Sequence, residues 1–398
     1  MRIAIPKEVL SQEKRVAATP ETVRKYIGLG FEVAVEASAG EGILIGDDEY
    51  QHAGARLISD VERLYAESDI VLKVKQPVFN EKVGRHEVDM LRNDSILITF
   101  LHPAAPENHD MISQLRDKNI TAFTMDGIPR ISRAQRMDAL SSMSAVTGYK
   151  AVIMAADQLP KFIPMIGTAI GTIKPAHFLI IGTGVVGLQA IATAKRLGGV
   201  VKALDIRKNA CTEAASLGAK VVEFDIPQEF AVGQGGYAQT LEKEWLEIEH
   251  RTIRPQLEEA DVVILSALVP GEIAPVLVTE PMLSGMKPGS VVMDISVDQG
   301  GNCEITEPGR FTQKLGVHIC GIQNIPGRMA VHASWLYANN MYHYVENLFK
   351  NGSGKLDLED EIVKCSLVTH RKDIHHEGTL KAMRMLNDNN LDFLSTGS

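Results

Sequence analysis

The sequence predicts an α/β protein of two doubly wound, parallel-sheet domains with a cleft between them, the second domain inserted in the first. Three observations predict it. At 398 residues the chain is too long for one ordinary core. Strand-like and helical segments alternate in two separate series, the pattern of parallel sheets covered by helices. A glycine-rich turn joins a strand to a helix at the head of the second series.

In the first series the strand candidates are 2–5, 32–36, 70–74, 95–100 and 119–124, with helical patterns such as 20–29 and 107–118 between them. The second series runs through strand candidates 177–181, 200–205, 220–223, 261–266, 290–295 and 318–321. Between the two, 137–158 has high helix propensity and few breakers, so it reads as one long helix. The segment 331–348 reads as a helix that returns to the first domain. The expected division is therefore 1–140 plus 328–398 for a discontinuous first domain and 141–327 for the inserted one. A Gly/Ser loop at 351–354 precedes a stretch, 355–369, whose alternation suggests a small hairpin, and the polar tail 387–398 is expected to fray.

Apolar residues make up 45% and charged residues 23%, values of a folded globular chain. A net charge of −9 argues against nucleic acid, which needs a basic face, and to a lesser degree against anionic membrane surfaces. The four cysteines, Cys211, Cys303, Cys320 and Cys365, are scattered without a C-x-x-C pair. That reads as a reduced, intracellular protein with no metal site. No secretory signal is read at the start, where Met1 to Lys7 form a short strand and turn. The most apolar stretch, 151–187, is interrupted by Asp157, Lys161, Lys174 and several prolines, so it cannot supply the roughly 20 unbroken residues of a membrane helix.

Gly182-Thr183-Gly184-Val185-Val186-Gly187 follows the buried strand Phe178-Leu179-Ile180-Ile181 and opens the helix 188–197. A lone G-x-G-x-x-G is an ordinary glycine-rich loop as often as a site, but here strand and helix flank it as a Rossmann dinucleotide turn requires. Gly182 permits the tight turn, Gly184 lets backbone approach a pyrophosphate, and Gly187 allows close helix–strand contact. Asp205, with Ile206 and Arg207, ends the next strand, where a carboxylate accepts from a ribose hydroxyl. It would repel a 2′-phosphate, so NAD(H) is expected over NADP(H), with Arg207 the qualification.

With that turn and with Arg15-Val16-Ala17-Ala18-Thr19-Pro20, the sequence resembles the family holding alanine dehydrogenase and the NAD(H)-binding α component of proton-translocating NAD(P) transhydrogenase. The resemblance covers nearly the whole chain. The stretch 130–142 is similar to the signature loop of the transhydrogenase branch, in which the residues matching Arg130, Gln135, Asp138 and Ser141 surround the nicotinamide and its ribose. Gln135 and Asp138 are then expected to position the nicotinamide. Read without the family, Asp138 or Ser141 simply caps a helix. Gly235-Gly236-Tyr237-Ala238 looks like that branch's mobile loop, with Tyr237 closing over nucleotide and the polar insertion 230–256 serving as a lid. Leu268 would pack near the adenosine, and Gly301-Asn302-Cys303 and the expected hairpin after Lys355 fit the same branch.

Four residues match the alanine dehydrogenase branch instead. Arg15, Lys75, His102 and Asp298 correspond to positions that hold substrate carboxylate and manage the proton. Oxidising an amino acid needs an acid–base group and a carboxylate anchor, whereas hydride transfer between two nicotinamides needs alignment alone. All four also have plain readings as paired or solvated charges and strand-end residues. The contiguous signatures outweigh the scattered matches. The resemblance thus implies a Re/Si-specific, proton-translocating transhydrogenase component, passing a hydride from bound NADH to NADP⁺ on a partner subunit. It further implies membrane and NADP(H)-binding partner subunits, a homodimer, and a cytoplasmic position peripheral to the inner (plasma) membrane. A free-standing alanine dehydrogenase with Lys75 and His102 catalytic is the alternative.

Overall fold

The computed structural model describes residues 1–224, 226–233, 238–269, 273–350 and 355–385. The chain divides into two compact units, one of Met1–Met143 with Gly327–Ser398 and the other of Ser144–Pro326. The division falls inside the helix Ala139–Gln158.

The first unit is built on one eight-stranded sheet. Its order is Asp373–Ile374, Leu367–His370, Thr121–Thr124, Ile96–Thr99, Ile70–Leu72, Arg2–Ile5, Glu32–Glu36 and Arg56–Ile58. The six N-terminal strands run parallel, while Leu367–His370 and Asp373–Ile374 add an antiparallel ribbon at one edge. Strands such as Ile70–Leu72 and Ile96–Thr99 are buried at every residue, as expected of a sheet covered on both faces. The helix Pro20–Gly28 starts where Thr19 caps it and a proline fits its first turn.

The second unit carries a seven-stranded sheet ordered Lys220–Val221, Val200–Leu204, His177–Ile181, Val262–Leu265, Val291–Asp294, Val317–Cys320 and Phe311–Lys314. All strands are parallel except the edge strand Phe311–Lys314. The chain winds outward from His177–Ile181 in one direction, then returns to wind outward in the other. That reversal places a crevice beyond the carboxyl ends of the strands, where open α/β sheets take ligands. The register fixes which residues meet there, since Ile181 lies opposite Leu204 on one side and Leu265 on the other. Gly182, Asp205 and Ser266 therefore leave the sheet side by side.

Two expectations are corrected. The stretch 355–369 is not a hairpin. Asp360 caps a short helix, Glu361–Ser366, by accepting from the Ile362 amide at 2.9 Å, and that helix buries Ile362 and Val363. The hairpin is real but displaced to Leu367–His370 and Asp373–Ile374, where it extends the main sheet. Nor is the whole of 230–256, expected to serve as a lid, a loop. Most of its second half belongs to the helix Lys243–Glu259, whose Ile253 and Leu257 are fully buried.

Candidate functional site

The three turn glycines serve different ends. Gly182 has φ +85°, a left-handed conformation, and a Cβ there would lie 2.7 Å from the Ala267 amide nitrogen. At Gly187 a Cβ would lie 2.0 Å from the Gly182 carbonyl oxygen, so only glycine lets the helix Val185–Arg196 sit this close to its strand. A Cβ at Gly184 meets nothing within 4 Å, and its backbone is unstrained. The fold demands glycine at 182 and 187, whereas at 184 the missing side chain only leaves space open. Open space at the N-terminus of a twelve-residue helix is what an approaching phosphate requires.

Asp205 is the charged group of this turn. Its Oδ2 accepts from the Thr183 amide at 2.8 Å and from the Thr183 hydroxyl at 3.2 Å. Arg207 holds it as well, from Nε to Oδ1 at 2.9 Å and from Nη2 to Oδ2 at 2.8 Å. The guanidinium expected to qualify the nucleotide preference is thus committed to the acid, and a 2′-phosphate would compete with Asp205 for it. Val185, Val186, Ile206 and Arg207 are half-buried and Leu268 is exposed. Tyr237 and the preceding glycine pair lie outside the described residues.

Three supports are not visible in the motif. Gln228 donates to the Ile206 carbonyl at 2.9 Å and accepts from the Lys208 amide at 3.0 Å, pinning the loop that carries Arg207. Buried Asn302 donates to the Ala267 and Pro275 carbonyls and accepts from the Ala267 amide, fixing the segment against which Gly182 turns. Gly148 lies mid-helix, where a Cβ would meet the Val186 carbonyl at 2.2 Å, so it lets the long helix press on the turn. A glycine inside an otherwise helical pattern is the available signal for the last.

In the first unit, Asp138 and Ser141 meet directly. Asp138 accepts from the Ser141 amide at 2.8 Å and the Ser141 hydroxyl at 2.6 Å, which caps the helix Ala139–Gln158. Arg130 and Gln135 are exposed on the same segment.

Of the four residues of the alternative, Arg15, Lys75 and His102 lie in the first unit and Asp298 in the second. Buried Arg15 is clasped by Glu13, Nε to Oε1 at 2.8 Å and Nη2 to Oε2 at 2.6 Å. Beside it opens a pocket of about 360 Å³ where Lys7, Lys14 and Arg15 face Glu8, Glu13 and Glu41, so its formal charges balance. Lys75 is half-buried, and exposed Asp298 accepts from Gln323 at 2.7 Å. His102 is the most chemically prepared of the four. It has a left-handed φ of 44°, held because Asp126 accepts from its amide at 2.8 Å while Nδ1 lies 2.9 Å from Asp126 Oδ1. Burial alone would raise the Asp126 carboxyl, but His102 and the hydrogen bonds outweigh it and hold it below its ordinary value.

Residues 4–147 match the family model of the alanine dehydrogenase/PNT N-terminal domain, and residues 151–377 match that of the C-terminal domain. The chain belongs to the alanine dehydrogenase/PNT family. Within this family, it is 43% identical over 379 residues to the first part of the NAD(P) transhydrogenase alpha subunit of Rhodospirillum rubrum, covering 94% of this chain and 98% of that protein. An alanine dehydrogenase of Halomonas elongata is 32% identical over 392 residues, 96% of either chain. The solved structure of the transhydrogenase from Sinorhizobium meliloti matches with a TM-score of 0.81 at 38% identity, covering 95% of this chain and 99% of that one. The doubly wound architecture is thus the alanine dehydrogenase/PNT fold, and the higher identity falls on the transhydrogenase side.

Proposed function

We propose that the chain is the NAD(H)-binding component of a proton-translocating NAD(P) transhydrogenase, passing a hydride from NADH directly to NADP⁺ held on a partner subunit. The observation that carries this reading is a single dinucleotide turn suited to NAD(H), in a chain that matches a transhydrogenase subunit almost end to end. The corresponding turn of the first unit, after Ile5, reads Pro6-Lys7-Glu8 and has no glycine. There the Glu8 carboxylate accepts from the Val74 amide at 2.6 Å, so an acid stands where a phosphate would have to lie. This supports the reading in which NADP(H) is held on the partner subunit.

In this reading Gly182, Thr183, Gly184, Val185 and Gly187 hold the pyrophosphate, and Asp205, Ile206 and Arg207 frame the adenosine ribose beside Leu268. Tyr237 closes over the nucleotide. Arg130, Gln135, Asp138 and Ser141 hold the nicotinamide and its ribose, with Gln135 and Asp138 setting the face that is offered. Transfer is Re/Si-specific and needs the two rings about 3–3.5 Å apart, with no acid or base at the reacting carbons. No helix among the described residues is long and apolar enough to cross a membrane. The proton path is assigned to membrane partner subunits, with this chain docked on them at the cytoplasmic face of the inner (plasma) membrane.

A homodimer fits one surface feature. The two-stranded ribbon Ile166–Thr168 and Gly171–Ile173 carries Ile170, 99% exposed, and lies close in sequence to exposed Phe162 and Met165. Apolar side chains on an exposed ribbon are suited to burial against a second copy.

The His102–Asp126 pair is the observation that favours the alternative, a free-standing alanine dehydrogenase. Against it, a substrate carboxylate would have to displace Glu13 from Arg15. One assay separates the two. The pure chain with NAD⁺ and L-alanine should give no NADH absorbance, and with its partner subunits it should reduce an NADP⁺ analogue from NADH. Robust alanine turnover without a partner would overturn the transhydrogenase reading.

A further inference from the structure

The helix Lys243–Glu259 lies against the second unit's sheet through an apolar stripe. Leu246, Ile253 and Leu257 share one cluster with Leu204, Val222 and Phe224. Glu249 stands on that same stripe, three residues after Leu246 and four before Ile253, and is only 6% exposed. Among the described residues no hydrogen bond or ion pair reaches its carboxyl. A partnerless carboxyl in an apolar stripe weakens a fold, so its presence calls for a reason outside packing.

Its surroundings supply one. Leu204, in the cluster beneath Glu249, runs directly into Asp205. Burial first, and then the charge of Asp205, push the Glu249 carboxyl up to about 8. Among the described residues, Arg207 holds both oxygens of Asp205, and the Cys211 thiol donates to the Asp205 backbone carbonyl at 3.2 Å. Glu223 acts in turn on Cys211.

A ribose diol reaching Asp205 needs the oxygens that Arg207 now takes. Moving the guanidinium aside would leave a nearly buried carboxylate facing the field of a second buried acid, and like charges disfavour ionising both. A carboxylic acid donating to a carboxylate resolves this with one shared proton. We propose that Glu249 is a positioning residue of the nucleotide site, a hydrogen-bond donor that takes over Asp205 when the adenosine ribose displaces Arg207. The proposal rests on Asp205 being the ribose acceptor, as read above. It makes NADH binding proton-linked at the adenosine end, remote from the hydride. A 2′-phosphate would bring further negative charge against both acids, so the pair also sharpens the preference for NAD(H).

The test is NADH fluorescence titration of the full chain at pH 7, 8 and 9. If the form with protonated Glu249 binds, a midpoint of about 8 makes the dissociation constant rise about tenfold from pH 7 to pH 9. Glu249→Gln, a donor at every pH, should keep near-native affinity at pH 7 and lose the alkaline rise. Calorimetry of the unaltered chain in two buffers of different ionisation enthalpy, at pH 8.5, should show uptake of most of one proton per NADH. A flat profile for the unaltered chain, or the same rise in Glu249→Gln, overturns the role of Glu249 while leaving the nucleotide site intact. No NADH binding at any pH overturns the reading of the site itself and this proposal with it.

Discussion

Arg207 holds both oxygens of Asp205, while Thr183 meets Oδ2 through its amide and its hydroxyl. One carboxylate thus ties the glycine turn to the end of the neighbouring strand and neutralises the Arg207 cation. Asp205→Asn keeps the shape and removes the charge. Hydrogen bonds to a charged group contribute about 1.5–3 kcal/mol, so NADH affinity should fall by at least about tenfold. The released Arg207 can then pair with a 2′-phosphate, so the ratio of NADPH to NADH dissociation constants should shrink. Titration with both nucleotides reads the two effects. An unchanged ratio would mean that Asp205 does not set the preference.

Gly184 and Gly187 should respond oppositely to alanine. At 187 the new Cβ would lie 2.0 Å from the Gly182 carbonyl oxygen, so helix and strand must separate. Overpacking of this kind costs about 1–3 kcal/mol, and thermal unfolding should show the loss without nucleotide present. At 184 the Cβ enters open space, and the penalty is confined to a poorer helix cap, within about 1 kcal/mol. Stability should barely move while NADH binding collapses. If Gly184→Ala still binds NADH normally, no phosphate approaches the backbone there.

The second sheet is legible in the sequence because its strands announce themselves twice. His177–Ile181 is buried and apolar from Phe178 onward, and the glycine turn after it marks both its end and the next helix. Central strands such as Val262–Leu265 and Val291–Asp294 are each a single residue shorter at either end than the sequence suggests. Arg56–Ile58 escapes because three residues are too few for a period to show. Phe311–Lys314 escapes because an antiparallel edge strand lacks the wholly apolar pattern of the parallel ones. Over 355–369 two signals compete. Alternation suggests a strand, but an aspartate ahead of Ile362 and Val363 is also a helix cap, and the cap wins. At the site, the turn and Asp205 can be read because a local motif encodes them. Gln228, Glu249 and Asn302 act across the fold, and no local spacing encodes such contacts.

Lys73 shows what such contacts contribute to the first unit. It is fully buried, with Nζ 2.7 Å from Glu87 Oε1 and 3.3 Å from Glu8 Oε2, and Tyr65 donates to Glu87 at 2.7 Å. Burial alone would push the lysine down, but the charges of Glu8 and Glu87 outweigh it and hold it above its ordinary value. A folded value above the unfolded one means stability present in full below about pH 10.4 and lost as the pH rises through the folded value. Lys73→Met removes the buried cation that both carboxyls share and should cost about 3–5 kcal/mol in urea unfolding at pH 7. Replacing both acids with glutamine in the same chain should recover most of it. A loss below about 1 kcal/mol would mean that solvent or local rearrangement already screens the cluster.

Asp360 offers the opposite pH signature, close to the segment that carries Gln135. Arg133 reaches it twice, at 2.8 and 3.1 Å, and Lys350 once, at 2.6 Å. Burial would raise this carboxyl, but the bonds from Arg133 and Lys350 and the Ile362 amide outweigh it and hold it well below the ordinary carboxylate range. A depressed folded value gives stability that is present above the unfolded value near pH 3.9 and is lost as the pH falls through the folded one. Asparagine caps a helix as well as aspartate does, so Asp360→Asn removes the charge while keeping the cap. Because Arg133 is about half exposed, the loss at pH 7 should be modest, about 1 kcal/mol. It should narrow as the pH drops below about 3.9 and as salt is raised. Unfolding at pH 7 and pH 3 in low and high salt checks both trends. An offset that ignores pH and salt would show that packing, and not the ion pairs, ties Arg133 to Asp360.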